Sequence, residues 1–325
     1  MPRDAAKHLR WDAILKIVAE KGTVRLVDLQ KELADKQLAV SPPTLRNDLY
    51  ALIDGGEALE LRRGIITAKA SAKTEYEKRS GEQKPEKQGV AVLACALLFP
   101  EDALRERVRD NLKDKLGWQS FPVIHLLEGI WQKTHRIVSM DAGSTTHAIA
   151  KQMGKRILSF DDCSQLTVVT NAPAVVEELY KTPKVQTIVA GGELRKERYS
   201  IVGHLAERCL DAFDIVTDMG FIGATGIDFQ RGFTSDSVLE TQVKVRLLDS
   251  RIRCVVLDHT KISRPGGTFS VFVGFSPQQL DFVLMDDEAL RDDDLFRAFR
   301  KKLEDANICL LTPSMLGLGG KNANP

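Results

Sequence analysis

The sequence predicts an α/β protein in which a small helical domain precedes a larger domain with a mostly parallel sheet. Two observations carry this prediction. Residues 1–68 hold three short stretches with apolar residues at helical spacing, followed by a segment that alternates like a small hairpin. Beyond residue 136, short β-rich runs alternate with helical stretches, which is the pattern of a parallel sheet covered by helices.

Composition limits the classes to which the protein can belong. The chain has 325 residues, of which 43% are hydrophobic, so it can form more than one domain core. Its net charge of +1 provides no global field for nucleic acid or membranes, so DNA binding must depend on a local patch. The N-terminus is charged, and the longest apolar run, 89–100, is too short to cross a bilayer. We therefore expect a cytoplasmic protein without a membrane partner.

The cysteines and histidines do not indicate a metal site. The five cysteines are scattered, unlike a zinc ligand set or a disulfide framework, and we expect them to be buried thiols: Cys95, Cys163, Cys209, Cys254 and Cys309. Three histidines lack a shared metal-ligand spacing: His147, His204 and His259. We expect neither a metal nor another cofactor.

The N-terminal segment has the pattern of a winged helix-turn-helix. Helices are predicted over 5–20, 26–34 and 44–54, and Ser41 is placed to cap the third. A basic hairpin follows over 58–68. In such domains the third helix enters the major groove of DNA.

Six polar residues of this segment are candidates for DNA contact. Those of the third helix lie opposite its leucine stripe, and two arginines lie at the hairpin tip. Each of them alone is also compatible with an ordinary solvated surface. The candidates are Ser41, Thr44, Arg46, Asn47, Arg62 and Arg63.

The segment between the two predicted domains is charged at first and then helical. Residues 70–88 are almost free of apolar side chains, as in a solvated linker or a helix extension. Residues 89–133 are mostly helical, and the sequence leaves open whether they cover the next domain or form a dimer contact. The predicted domains are 1–68 (winged helix-turn-helix), 69–135 (linker and helical connector), 136–312 (α/β sensor domain) and 313–325 (flexible tail).

In the C-terminal domain, small polar residues follow several predicted strands. The strands are predicted at 137–140, 166–170, 185–189, 219–223, 253–258, 271–273 and 282–285, with helices at 172–180, 203–213 and 237–250. The polar clusters are 141–146, 170–171, 191–193, 223–226 and 258–261. Because ligands bind at the carboxyl ends of strands in such sheets, these clusters predict one binding site.

The stretch Ile137–Ala150 is the most specific of these clusters. A short strand leads into Asp141, Gly143, Ser144, Thr145 and Thr146, and a helix is predicted over His147–Met153. A helix start presents free N–H groups and a positive dipole end, which suits phosphate. Ser and Thr at this position also serve as plain helix caps, which is the alternative interpretation.

Several motifs together resemble the DeoR family of bacterial transcription regulators. They are VSPPTLRNDLYAL, MDAGSTT, VVTNAPAVV, VAGGELRKERYSIVGHLAE, GFIGATGID, LETQVK and LDHTK. The resemblance covers 7–68 and 136–285. It implies a cytoplasmic, oligomeric regulator, usually a repressor of sugar-catabolism genes, that binds double-stranded operator DNA. It also implies that the α/β sensor domain resembles ribose-5-phosphate isomerase and binds a phosphorylated sugar.

The resemblance also implies a set of effector-binding residues. They are Asp141, Gly143, Ser144, Thr145, Thr146, Thr170, Asn171, Gly191, Gly192, Gly223, Gly226, Glu240, Lys244 and Lys261. Ser144 to Thr146 would hold phosphate, while Asp141, Asn171 and Glu240 would meet sugar hydroxyls. Glu240 and Lys244 are equally compatible with a simple i,i+4 helix pair. A loop surface or a subunit contact is an equal alternative for Arg195, Arg198 and Tyr199.

The chain departs from the family pattern at three places. Arg46-Asn47 stands where paired arginines are usual, and Arg63-Gly64-Ile65 where His-Gly-Gly is common, so the operator differs. Thr225 stands where the family often has Asp, and it cannot titrate usefully. A non-enzymatic regulator is therefore our prediction. The alternatives are a sugar-phosphate isomerase using Asp141 or Glu240, and a constitutive DNA-binding protein whose sensor fold only dimerises.

Overall fold

The computed structural model describes residues 3–54, 59–68, 74–117, 120–159, 165–235, 237–262, 269–270 and 280–318. The chain divides into two compact units, Met1–Lys73 and Thr74–Pro325. Within the described residues, the first unit has three helices and a small antiparallel sheet. The second has a seven-stranded sheet covered by helices.

The first unit has the helices and the wing that the sequence predicts. The helices are α1 (Arg3–Lys21), α2 (Leu26–Asp35) and α3 (Pro42–Asp54), and the strands are β1 (Thr23–Arg25), β2 (Leu59–Arg62) and β3 (Ile65–Ala68). Strand β1 pairs with β3, so the predicted hairpin is a three-stranded sheet in the order β1-β3-β2. The leucine stripe of α3 packs into one core with Ile14, Leu29 and Ile66.

The hairpin tip of this unit is a tight turn. Arg63 and Gly64 both have positive φ, 49° and 78°. Two such residues in sequence form the turn whose twist matches that of the flanking strands. The Gly64 carbonyl accepts a hydrogen bond of 2.8 Å from the Leu26 N–H, which attaches the tip to the start of α2.

The second unit begins with a short helix, and its main sheet is covered by helices on both faces. Its helices are α4 (Glu75–Gly81), α5 (Lys84–Leu98), α6 (Asp102–Leu116), α7 (Ser120–Trp131), α8 (Ser144–Ser159), α9 (Pro173–Leu179), α10 (His204–Phe213), α11 (Val238–Leu247) and α12 (Asp294–Asp305). Its strands are β4 (His135–Met140), β5 (Gln165–Thr170), β6 (Val185–Val189), β7 (Glu193–Arg195), β8 (Ser200–Val202), β9 (Thr217–Ile222), β10 (Gly226–Asp228), β11 (Gly232–Ser235), β12 (Ser250–Val256), β13 (Phe269–Ser270), β14 (Phe282–Leu284) and β15 (Cys309–Leu311).

The main sheet is parallel and has the strand order β15-β14-β12-β9-β4-β5-β6. After β4 the chain adds β5 and β6 on one side, and later adds β9, β12, β14 and β15 on the other. The order of the strands therefore reverses between β4 and β9. A crevice forms at such a switch point, outside the carboxyl ends of the strands.

The two faces of this sheet pack against separate helical layers. Val138 and Met140 of β4 point into a core that includes α5, α7 and α8, whereas Ile137 packs on the opposite core, which includes α11 and α12. Helix α5 packs against α8, and its Val90 and Leu93 are fully buried. The connector thus covers the sheet, which is the first of the two roles that the sequence leaves open.

Several element bounds differ from the predictions. Helix α8 begins at Ser144 rather than His147, because the Gly143 carbonyl already accepts the first helical hydrogen bond. The charged segment 70–88, for which the sequence leaves open a solvated linker or a helix extension, contains α4, whose start is fixed by a capping box between Thr74 and Glu77. Residues 69–73 and the strand predicted at 271–273 lie outside the described residues. The predicted flexible tail begins with an ordered turn, since Leu316 is fully buried.

Candidate functional site

A cleft lies at the switch point of the main sheet, at the carboxyl ends of β4, β9 and β12. Its walls come from the start of α8, the segment after β9, helices α4 and α11, and the turn between β7 and β8. The lining residues are Tyr76, Arg79, Ala142, Gly143, Ser144, Thr145, Thr146, Arg198, Gly223, Ala224, Thr225, Glu240, Lys244, Val256, Leu257 and Lys261.

The first turn of α8 forms one wall of this cleft. The residue before the helix is Gly143, whose carbonyl accepts hydrogen bonds from His147 N–H at 2.9 Å and from Thr146 Oγ1 at 3.0 Å. Glycine has no side chain that could cap the helix. The N–H groups of the first turn have no intrahelical partner, so this wall offers donors and the positive dipole end to an anion.

Lys244 is held in the cleft by a buried carboxylate. Its Nζ forms an ion pair with Asp141 Oδ2 and donates to the Gly223 carbonyl at 3.1 Å. Asp141 Oδ1 accepts from the Gly223 N–H at 3.0 Å, and Asp141 is fully buried. Burial lowers the pKa of Lys244. Asp141 therefore positions Lys244 and Gly223 and does not line the cleft.

Glu240 is held by partners other than Lys244. Its Oε1 accepts from Arg195 Nη1 at 2.9 Å and from Ser200 Oγ at 3.3 Å, and its Oε2 accepts from Ser235 Oγ at 3.4 Å. Although Glu240 and Lys244 have i,i+4 spacing, each is engaged in a different polar network. The simple helix pair is therefore not the arrangement that the structure contains.

The structure brings together most of the predicted effector-binding residues, but not all of them. Eight line the cleft: Gly143, Ser144, Thr145, Thr146, Gly223, Glu240, Lys244 and Lys261. Thr170 is fully buried and donates to the Met140 carbonyl at 2.7 Å, and Asn171 Nδ2 donates to the Ile201 carbonyl at 2.8 Å. Gly191 and Gly192 are exposed in the loop before β7, and Gly226 lies in β10. These residues shape the surrounding loops.

The sequence analysis missed two residues of the cleft, Tyr76 and Arg79. Both lie on α4, in a run so rich in charge that it resembles a solvated linker. Tyr76 is half-buried, and its Oη and His147 Nδ1 form a hydrogen bond of 2.7 Å. The signal that could have found α4 is the spacing of Thr74 and Glu77, which is that of a capping box.

Basic side chains from three elements converge on the cleft. Burial and the neighbouring Arg79 guanidinium lower the pKa of Arg198, and Arg79 also contributes to lowering the pKa of Lys244. Arg79 therefore lies near enough to Arg198 and to Lys244 to disfavour the charged form of both. An anion bound among them would replace that repulsion with attraction.

In the first unit, the predicted DNA-contact residues form an exposed surface. Thr44, Arg46 and Asn47 of α3 are exposed, while Leu45 and Leu49 are fully buried on its other face. Ser41 caps this helix, since its Oγ accepts from the Thr44 N–H at 3.3 Å. Arg62 and Arg63 are exposed at the hairpin tip, and Arg62 forms an ion pair with Glu60.

The first unit also contains a buried polar contact that the sequence does not reveal. Asp48 of α3 is only 4% exposed, and its carboxylate accepts from Arg10 Nε at 2.6 Å and from Trp11 Nε1 at 3.0 Å. The contact fixes α3 against α1. It therefore sets the orientation in which α3 presents its exposed face.

The described residues contain neither a cluster of metal ligands nor a helix that could span a membrane. Within the described ranges, no group of three or more His, Cys, Asp or Glu side chains is arranged to hold a metal ion. Among the same residues, no helix has the length and apolar character needed to cross a membrane. Cys95, Cys254 and Cys309 are buried and Cys209 is partly buried, all as free thiols, whereas Cys163 lies outside the described residues.

The fold and the cleft define a protein with two units, a winged helix-turn-helix unit and an α/β unit with a cleft at the switch point of its sheet. Residues 132–280 match the family model of the DeoR C terminal sensor domain. The C-terminal domain therefore belongs to the sensor domains of the DeoR family, the family that the motifs of the chain predict.

Two curated relatives align over most of the chain. The HTH-type transcriptional regulator GolR of Listeria innocua is 25% identical over 92% of this chain and 96% of its own length. The glycerol-3-phosphate regulon repressor of Escherichia coli is 25% identical over 78% of this chain and 82% of its own length. A ribose 5-phosphate isomerase from Methanocaldococcus jannaschii aligns with 14% identity and a TM-score of 0.28, over 47% of this chain and 54% of the isomerase. This last likeness carries no argument about the site.

Proposed function

We propose that this protein is a DNA-binding transcription regulator that represses sugar-catabolism genes. A phosphorylated sugar that binds in the cleft controls its activity. One observation carries the proposal: the start of α8, Lys244 and Arg198 face a single cleft at the switch point of the sheet. A phosphate is the ligand that such an arrangement of N–H donors and cations recognises. The names of the relatives, both regulators and one of a glycerol-3-phosphate regulon, support this assignment.

The same cleft has groups suited to the sugar part of the effector. Ser144 and Thr225 line it with hydroxyl groups, and Glu240 brings a carboxylate. These side chains can exchange hydrogen bonds with sugar hydroxyls, which fixes the orientation of a ligand whose phosphate lies at α8. The cleft thus favours a phosphorylated sugar over inorganic phosphate alone.

DNA binding is assigned to the exposed face of α3 and to the hairpin tip. Arg46 and Asn47 have the donors and acceptors that read base edges, and Arg63 can contact a phosphate. The partner is double-stranded operator DNA. The protein would act on it as a homo-oligomer, as helix-turn-helix proteins that bind paired half-sites do.

The chemistry of the cleft supports a sensor rather than an enzyme. Isomerisation of a sugar phosphate needs a carboxylate that can accept a proton from the sugar carbon. Asp141 is fully buried with both oxygens engaged, and both oxygens of Glu240 accept hydrogen bonds from Arg195, Ser200 and Ser235. Thr225 occupies the cleft without a titratable group.

Two binding measurements test this proposal. Fluorescence anisotropy with DNA from upstream of the protein's own operon should show salt-sensitive, sequence-selective binding. A thermal-shift panel of pentose and hexose monophosphates should identify at least one stabilising ligand, while the unphosphorylated sugars should have no effect. Absence of sequence-selective DNA binding would refute the proposal that the protein is a transcription regulator. Turnover of a stabilising sugar phosphate that is lost in Glu240→Gln without loss of its binding would favour the isomerase instead.

A further inference from the structure

We propose that α4 is held in place by the effector, through Arg79, and that α4 thereby transmits occupancy of the cleft to the DNA-binding unit. This inference rests on the proposed function and adds the element through which the cleft acts. It assigns Arg79 as an effector-binding residue and Tyr76 as a positioning residue.

The contacts of α4 are few and largely polar. None of its residues is buried. The Tyr76 N–H donates to the Glu197 carbonyl at 2.9 Å, and Tyr76 Oη is hydrogen-bonded to His147 Nδ1 at 2.7 Å. The Tyr76 ring also lies 5.6 Å from the ring of Tyr199. A helix held in this way can be displaced at lower cost than a helix packed into the core.

Each of these contacts leads to a wall of the cleft. His147 belongs to α8, whose first turn is the expected phosphate seat. Glu197 and Tyr199 flank Arg198 in the turn between β7 and β8, and Arg198 lines the cleft. The position of α4 is therefore connected to the two elements that a bound phosphate would contact.

Arg79 places a guanidinium group from α4 in the cleft itself. Its Nε is held by Glu75 Oε1 at 2.9 Å, and its carbonyl accepts from the buried Lys87 Nζ at 2.5 Å. Glu75 thus orients the side chain of Arg79, and Lys87 fixes its backbone. Arg79, Arg198 and Lys244 line the same cleft, so a phosphate bound among them would attract the Arg79 guanidinium and draw α4 toward the cleft.

The place of α4 in the chain links the cleft to the other unit. Thr74, which caps α4, is the first residue of the second unit, and the first unit ends at Lys73. A change in the position or the order of α4 therefore acts on the segment that leads directly to the DNA-binding unit. Coupling between two sites typically changes affinity by about 5- to 150-fold, which one anchored helix can supply.

Three full-length variants test the inference, with the sugar phosphate that gives the largest thermal shift as the probe. Arg79→Gln should weaken binding of this probe by about 10- to 100-fold, because a charged hydrogen bond to phosphate is lost. Tyr76→Phe keeps the ring but loses the bond to His147. It should bind the probe more tightly than Arg79→Gln does, yet saturating probe should change its DNA affinity much less than that of the wild type. Lys78→Gln removes a charge from the exposed side of α4 and should behave as wild type.

Hydrogen exchange of the wild-type protein is a second test that needs no variant. The probe should slow exchange of the amides of α4, as well as those of the first turn of α8. The inference is wrong if the probe does not slow amide exchange in α4, or if Arg79→Gln and Tyr76→Phe respond to the probe as the wild type does. Neither outcome would contradict the proposed regulator function. If no sugar phosphate stabilises the wild type, the proposed function itself fails.

Discussion

The charged residues around the cleft differ in what they can offer to a ligand. Asp141 and Lys244 satisfy each other in the interior, and Glu240 is bonded to Arg195 at the rim. A buried charge without a partner is costly, so these pairs are needed for the fold before any ligand binds. The start of α8 offers a phosphate backbone N–H groups, and Arg79 and Arg198 offer it guanidinium groups from other walls of the cleft.

The first prediction concerns Ser144, the first residue of α8. Ser144→Asp places a negative charge where the phosphate would bind, and should abolish the effector response while DNA binding remains. Asp is also favourable at a helix start, so the fold should be retained. Ser144→Ala, which keeps the N–H, is the matched control and should retain most of the response. Anisotropy titrations with operator DNA, with and without the sugar phosphate, measure the DNA binding and the effector response of each variant. A full effector response of Ser144→Asp would show that the phosphate binds elsewhere.

The second prediction concerns Lys244. Lys244→Met leaves Asp141 buried without its cation and should destabilise the protein by about 3–5 kcal/mol. The double variant Asp141→Asn with Lys244→Met removes both charges and should recover most of this loss. Urea unfolding of the two single variants and the double variant measures the coupling. Equal stability of Lys244→Met and wild type would show that the ion pair does not form in solution.

At the scale of single elements, we expect α3 and the hairpin tip to have different roles on DNA. Arg46→Ala should cost about 1–3 kcal/mol of operator binding and relax sequence preference, because we assign its exposed side chain to the reading of base edges. Arg63→Ala should weaken binding to all sequences and reduce the salt slope by about one. Lys16→Ala, on the exposed side of α1, is the control and should change neither. Titrations at several salt concentrations separate these outcomes, and a uniform loss in Arg46→Ala would contradict its assignment.

The elements that the sequence predicts well are those with a strong local pattern. The strand Val185–Val189 is found as predicted, and the helices of the first unit fall where their leucines indicate. The ribbon of β10 and β11 was not predicted, since strands of three or four residues show too little alternation. Helix α12 was also missed, although Phe296, Phe299 and Leu303 form a buried stripe at helical spacing.

The site was predictable to the extent that its residues follow strands directly. Gly223 comes immediately after β9, and Ser144 follows the short loop after β4, so topology alone brings them together. Asn171 also follows a strand, but its amide is engaged with the Ile201 carbonyl, which no local pattern indicates. Arg79 reaches the cleft from a helix far away in the chain, and only tertiary packing could show it.

At the scale of the whole molecule, control of DNA binding by the effector requires a difference in effector affinity between two states of the protein. The effector must bind more tightly when the DNA-binding unit is in one of its two states, because a ligand with equal affinity for both shifts nothing. A preference of about 1–3 kcal/mol is enough to change operator occupancy several-fold. Helix α4 is the element through which we expect that preference to arise.

The most direct test is the dissociation constant of the operator complex with and without a sugar phosphate that the protein has been shown to bind. Saturating sugar phosphate should change the dissociation constant of the wild-type complex by about 5- to 150-fold. The dissociation constant of the Ser144→Asp complex should be the same with and without the sugar phosphate. A sugar phosphate that binds the cleft of the wild type but leaves its operator affinity unaltered would contradict the account.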